Sequence, residues 1–185
     1  MVYLSAGHNA QSKTIRQDPG AVNKHGIKEG DLTIELKGLI QHELDLLGVK
    51  YISDSEEENL SAYLKRIGTG TGSVVLELHF DASDKPTATG CTGLIEGEAD
   101  RLDRAFAKEL TDANASILGI RNRGVISETE SHRGRLGLMR EDGIICLQEI
   151  CFISNDDDLA RYNLKKKELA KAFALIIQKY EAMVS

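Results

Sequence analysis

The sequence predicts one α/β domain: a twisted, mixed and largely parallel sheet flanked by helices. Three observations predict it. Short apolar runs alternate with longer segments of helical period from one end of the chain to the other. The run Ile144–Ile150 is apolar almost without interruption before Glu149, as expected for a strand buried on both faces. No repeat, low-complexity tract or long linker divides the 185 residues, a length that suits one substantial core.

The elements follow in order. Val2–Ser5 reads as a short strand that opens into a polar loop running to Lys28. Residues 29–47 keep Leu32, Leu36, Leu39, Ile40, Leu44 and Leu47 on one stripe, so a helix is expected, with Gly48 as its C-terminal cap. Val49–Ile52 is a second strand. Residues 56–68 form a second helix, with Leu60, Leu64 and Ile67 in phase, and the glycine-rich run 68–72 ends it. Val74–His79 and Leu94–Ile95 are the next strands. Helix 98–118 then carries Leu102, Phe106, Leu110, Ala113 and Ile117. Gly124–Ile126, Leu136–Met139 and Ile144–Ile150 are candidate strands. Helix 163–181 closes the chain on Leu169, Phe173, Ile176, Ile177 and Tyr180.

Composition excludes several classes. Apolar content of 41% and charged content of 28% are ordinary for a globular protein. A net charge of −6 without a basic block argues against nucleic acid and anionic membrane as principal partners. No window approaches the roughly 18 apolar residues of a membrane-spanning helix, so no membrane insertion is expected. The start, MVYLSAGHNA, lacks the basic and apolar regions of a secretory signal, which leads to an expectation of synthesis in the cytoplasm. Cys91, Cys146 and Cys151 are an odd number without a CxxC pair, so neither a disulfide framework nor a thiolate metal site is suggested.

Four residues carry the chemical signal: His8, Glu29, His79 and Glu149. His8 follows the first strand, His79 and Glu149 end or nearly end two others, and Glu29 opens the first long helix. Strand ends on one edge of an open α/β sheet converge on a common crevice. Two imidazoles and one carboxylate are a frequent ligand set for a catalytic zinc, and a further carboxylate can take a proton from water. The bland reading makes the histidines surface or capping residues and Glu149 part of an ion pair; it suits any one of them better than all four in this order. His25, four residues before Glu29, is a rival ligand without rigid support. His42 falls beside the apolar stripe of its helix and reads as solvated. His132, in a polar segment near the strand ends, is a candidate substrate contact. Arg123 is another, because guanidinium matches carboxylate in a bidentate way; its alternative is a surface ion pair. Arg133, Arg135 and Arg140 are weaker candidates of that kind. Asp81 is a candidate to orient His79 or a neighbouring backbone group. Cys151 falls on the side of Glu149 if the strand alternates regularly, most simply as a buried filler.

Several motifs are shared with a known family. Gly7-His8 follows the first strand, Asp18–Ala21 reads Asp-Pro-Gly-Ala before Glu29, and His79–Ala82 reads His-Phe-Asp-Ala. Arg123–Val125 reads Arg-Gly-Val, and Glu149–Asn155 reads Glu-Ile-Cys-Phe-Ile-Ser-Asn. In this order the chain resembles the zinc-dependent N-acetylmuramoyl-L-alanine amidases, peptidoglycan hydrolases of phosphorylase/hydrolase-like fold. The resemblance implies that His8, Glu29 and His79 bind Zn2+ and that Glu149 is the catalytic carboxylate. It implies hydrolysis of the amide between the lactyl group of N-acetylmuramic acid and L-alanine of the stem peptide. It departs from the family in a longer spacer after His8, in Asp81 and Cys151 where asparagine and glycine are usual, and in a lengthened segment 127–140. These departures bear on substrate preference more than on the ligands. The whole chain 1–185 reads as a catalytic domain without a wall-binding module, which resembles bacteriophage endolysins; an autolysin is the neighbouring reading. Two alternatives stay open: a zinc peptidase acting within the stem, and a wall-binding domain that hydrolyses nothing. Oligomeric state is not legible.

Overall fold

The computed structural model of the protein describes residues 1–131 and 136–185. Along the described chain run β1 (Val2–Ser5), α1 (Glu29–Leu46), β2 (Tyr51–Ser53), α2 (Leu60–Arg66), β3 (Val74–Asp81) and β4 (Cys91–Ile95). They are followed by α3 (Arg101–Leu118), β5 (Asn122–Ser127), a 3-10 turn (Gly137–Arg140), β6 (Ile144–Phe152) and α4 (Asp156–Val184). The strands form one six-stranded sheet in the order β2-β1-β3-β6-β4-β5. All neighbouring pairs are parallel except β4 with β6, so the sheet is mixed and largely parallel, as the sequence predicts.

Two apolar layers cover the sheet. The larger joins α1, α3 and α4 through Leu36, Ile40, Phe106, Leu110 and Phe173 to Leu4, Leu76 and Cys146 of the strands. The smaller joins Tyr63 of α2 and Leu138 and Met139 of the 3-10 turn to Tyr3, Val75 and Leu147. Side chains of a strand alternate between faces. Val74, Leu76, Leu78 and Phe80 enter the larger layer while Val75 enters the smaller, and Glu77 and His79 share the parity of Val75. Glu149 shares the parity of Ile145 and Leu147 in the same way. The charged positions of both strands therefore fall on one face. The crossover from β1 to β2 passes through α1 on the larger layer, and that from β2 to β3 passes through α2 on the smaller. The connections that leave β1 and β2 therefore diverge to opposite faces at the carboxyl ends of the strands, the edge where open α/β sheets take ligands.

The structure corrects several boundaries. Leu136–Met139 is no strand: Leu138 and Met139 are both buried in the smaller layer, and a strand would send consecutive side chains to opposite faces. Helix α4 begins at Asp156 instead of 163. Asn155 accepts hydrogen bonds from the amides of Asp157 and Asp158 at 3.0 and 3.1 Å, and three aspartates occupy the positive first turn. Helix α3 starts at Arg101 instead of 98 because Asp100 and Asp103 form a reciprocal cap at that point. Cys151 does not share a side with Glu149. The register steps from His79 opposite Glu149 to Asp81 opposite Phe152, a bulge that turns both Ile150 and Cys151 into the larger core. Among the described residues, no helix is long and apolar enough to cross a membrane.

Candidate metal centre

The loop after β1 is shaped by two glycines that carry it over the strand ends. Gly7 has φ +71° and Gly20 φ +63°, a region L side chains rarely adopt. A Cβ on Gly7 would lie 2.5 Å from Nε2 of His79, and one on Gly20 would lie 2.6 Å from Oε2 of Glu29 and 2.7 Å from Nε2 of His8. Only a bare backbone fits this closely against the three side chains.

Glu29 is the first residue of α1 and 3% exposed. Its Oε2 accepts the amide hydrogen of Ala21 at 2.8 Å, and its Oε1 accepts that of Phe80 at 3.0 Å. The same Oε1 lies 2.9 Å from Nδ1 of His79 and 3.2 Å from Nε2 of His8. The two imidazole rings meet edge to face, their centroids 4.9 Å apart at 82°. One donor atom from each of the three residues falls within 4.8 Å of the others. The outer ring nitrogens face carboxylates: Nδ1 of His8 is 3.0 Å from Asp18, and Nε2 of His79 is 3.1 Å from Glu77. Such outer partners aim the inner nitrogens of metal-ligating histidines.

This donor set fits a divalent transition metal. Two nitrogens and an oxygen converge, and Nε2 of His8 is buried without a hydrogen-bond partner among the described residues. Burial disfavours the cation of His79, yet Glu29 and Glu77 outweigh it and push its pKa up to about 10. Burial likewise opposes the cation of His8, and Glu29 raises it nonetheless. For Glu29, burial favours the neutral acid, but His79 and His8 hold the carboxyl far below its usual range.

Glu149 stands directly beside His79 in the β3–β6 register and opposite Thr92 of β4; it is 3% exposed and lies outside the three-residue cluster. It lines a cleft of about 410 Å³ together with Asp81, Arg121, Arg123 and Glu130. The lining includes none of the three clustered residues; Glu149, paired with His79, and Asp81, two residues beyond it on β3, are the lining residues next to it in the sheet. Arg123 sits in this cleft, its guanidinium 5.1 Å from the ring centre of Phe152.

The other sequence candidates sort clearly. His25 is exposed and 3.2 Å from Asp156, well outside the cluster. His42 is exposed on α1, as its position beside the apolar stripe suggests. His132, Arg133 and Arg135 lie outside the described residues. Arg140 is held by Glu96 and Glu128 in ion pairs. The carboxylate against the outer nitrogen of His79 is Glu77, while Asp81 holds a neighbouring backbone group, the other expectation for it: its Oδ1 accepts the amide hydrogen of Ala82 at 2.8 Å. Sequence reasoning missed Glu77, Arg121 and the contact of Asp18 with His8. One of these left a signal: Glu77 lies two residues before His79 within one strand, the spacing that shares a strand face.

The family profile described as N-acetylmuramoyl-L-alanine amidase matches residues 2–179. Among solved structures, an N-acetylmuramoyl-L-alanine amidase from Clostridium difficile 630 superposes with a TM-score of 0.79 at 16% identity, over 100% of this chain and 97% of that one. A putative amidase of the same description from Neisseria meningitidis gives 0.74 at 23% identity, over 100% and 97%. The catalytic domain of an endolysin targeting Clostridium difficile gives 0.70 at 17% identity, over 96% of each chain. No curated protein matches. With the fold, the convergent cluster and a profile match over nearly its whole length, the chain belongs to the N-acetylmuramoyl-L-alanine amidase family.

Proposed function

We propose that this protein hydrolyses the amide between N-acetylmuramic acid and L-alanine of the peptidoglycan stem, with zinc held by His8, Glu29 and His79 and with Glu149 as the general base. The observation that carries this reading is the convergence of the three donors within 4.8 Å, with Glu149 on the adjoining strand and in the lining of the cleft. Bound there, zinc supplies a Lewis acid that polarises the scissile carbonyl and eases the deprotonation of water. Glu149 accepts that proton and returns one to the departing amine of L-alanine. Arg123, joined by Arg121, offers guanidinium groups to the stem-peptide carboxylates, a pairing its geometry favours. In this reading residues 1–185 act as a catalytic domain on the cell wall, as an endolysin or autolysin.

The test is mass spectrometry of purified peptidoglycan digested by the zinc-loaded protein, beside a chelated control. Metal-dependent release of stem peptides with a free L-alanine amine, the glycan left uncut, is the expected result. Cuts within the stem would make the protein a peptidase, and an absence of products from several wall types would remove the activity.

Zinc binding should release protons. The metal takes neutral imidazoles, whereas the pKa of His79 is raised to about 10 in the metal-free protein. Near neutral pH the metal therefore displaces a proton from His79, and apparent affinity rises as pH rises. Titration calorimetry in buffers of different ionisation enthalpy should find about one proton released per zinc at pH 7. Affinity independent of pH would contradict the charge state assigned to the cluster.

A further inference from the structure

Strand β3 carries a charge where its neighbours predict none. Glu77 stands between Leu76 and Leu78, is 2% exposed, and pairs in register with Ser5 of β1. A buried carboxylate costs free energy unless its oxygens are engaged. Its Oε1 is 3.1 Å from Nε2 of His79, while Oε2 is buried without a hydrogen-bond partner among the described residues. The nearby hydroxyl of Tyr63 is likewise buried and unpartnered there. A carboxylate placed for stability alone would have both oxygens satisfied. Here the single hydrogen bond goes to the outer nitrogen of His79.

The geometry points to Glu77 as the positioning residue of the metal centre: it holds the Nε2–H of His79 so that Nδ1 faces Glu29 and the metal. The proposal rests on the metal-centre reading above. An imidazole presents a lone pair at only one nitrogen when neutral, and the hydrogen bond at the other selects which. With the Nε2 proton held by Glu77, the lone pair of the neutral ring is left at Nδ1, beside Glu29. Glu77 lies two residues back on the same face of β3, which lets its carboxylate reach the outer nitrogen while Oε1 of Glu29 meets the inner one at 2.9 Å. His8 has an analogous partner in Asp18, but that carboxylate is 63% exposed and competes with water. Glu77 is sheltered, so its hold on His79 is the stronger of the two.

The experiment compares wild type, Glu77→Gln and Glu77→Ala. Zinc affinity is read by competition with a chromophoric chelator, and the ring of His79 by 15N–1H NMR of histidine-labelled, zinc-loaded protein. Wild type should show Nδ1 as the coordinating nitrogen and a slowly exchanging proton on Nε2. Glu77→Ala should bind zinc about 10–100-fold more weakly and lose the slow proton. Glu77→Gln keeps an acceptor oxygen in the same place and should recover part of that affinity; it also decides the matter if the alanine variant does not fold. Coordination through Nε2 in wild type overturns the proposal. So does zinc affinity within about twofold of wild type in the folded variants, whatever their melting temperatures. Wild-type protein with no zinc affinity would instead overturn the metal-centre reading, and this proposal with it.

Discussion

Glu149→Gln is expected to lower amidase turnover about 10²–10⁴-fold, the span that general-base catalysis contributes, while zinc content and melting temperature stay close to wild type. That loss corresponds to about 3–5 kcal/mol of transition-state stabilisation. Glutamine preserves the shape of a side chain packed between His79 of β3 and Thr92 of β4, and it cannot accept a proton at neutral pH. Glu149 lies outside the cluster of donors, so its loss should leave metal binding intact. Product release from peptidoglycan, zinc stoichiometry and thermal unfolding check the three parts separately. A variant that retains most of its turnover would remove Glu149 from the mechanism; one that loses zinc along with turnover would make it a ligand instead.

Glu29→Ala should remove both metal and stability. Zinc affinity should fall by more than the roughly 10–100-fold that an outer-sphere change costs, because a donor itself is gone. The metal-free variant should also be destabilised by about 3 kcal/mol, since Glu29 is a buried partner of two imidazoles and accepts hydrogen bonds from Ala21 and Phe80. The pH dependence has a definite sign. The pKa of Glu29 is depressed, so its contribution is present above the model value of 4.5 and fades as pH falls. His79 is raised, so its contribution is complete below the model value of 6.5 and is lost as pH rises through about 10. The difference between metal-free wild type and variant should therefore be largest between those model values and shrink towards alkaline pH. Urea unfolding of both chelated proteins across that range measures it. A gap that grows from neutral towards alkaline pH would contradict the pairing.

Much of the fold is legible in local pattern. Helix α1 follows its leucine stripe, and β6 follows its unbroken apolar run, because burial on one face or on two writes itself into neighbouring residues. The errors fall where local pattern carries little. The first turn of α4 is set by the Asn155 cap and three aspartates, which have no apolar period. The segment around Leu138 and Met139 imitates a strand in composition, but it packs into the smaller layer, where a 3-10 turn buries both side chains. The bulge after His79 cannot be read from either strand alone, since it exists only in their pairing.

The candidate site divides along the same line. By itself the sequence singled out His8, Glu29, His79 and Glu149 as candidates, three at or just beyond strand ends and Glu29 at a helix start, and such a place is a local property. It also determined the sheet that carries them. The tertiary structure alone decided that Oε1 of Glu29 lies between the two imidazoles, that Glu77 and Asp18 face their outer nitrogens, and that Arg121 shares a cleft with Glu149. Those relations join residues up to 50 positions apart in the cluster, as Glu29 and His79 are. Distances, charge states and ring orientations arise from what meets across strands and loops, and no periodicity along the chain encodes them.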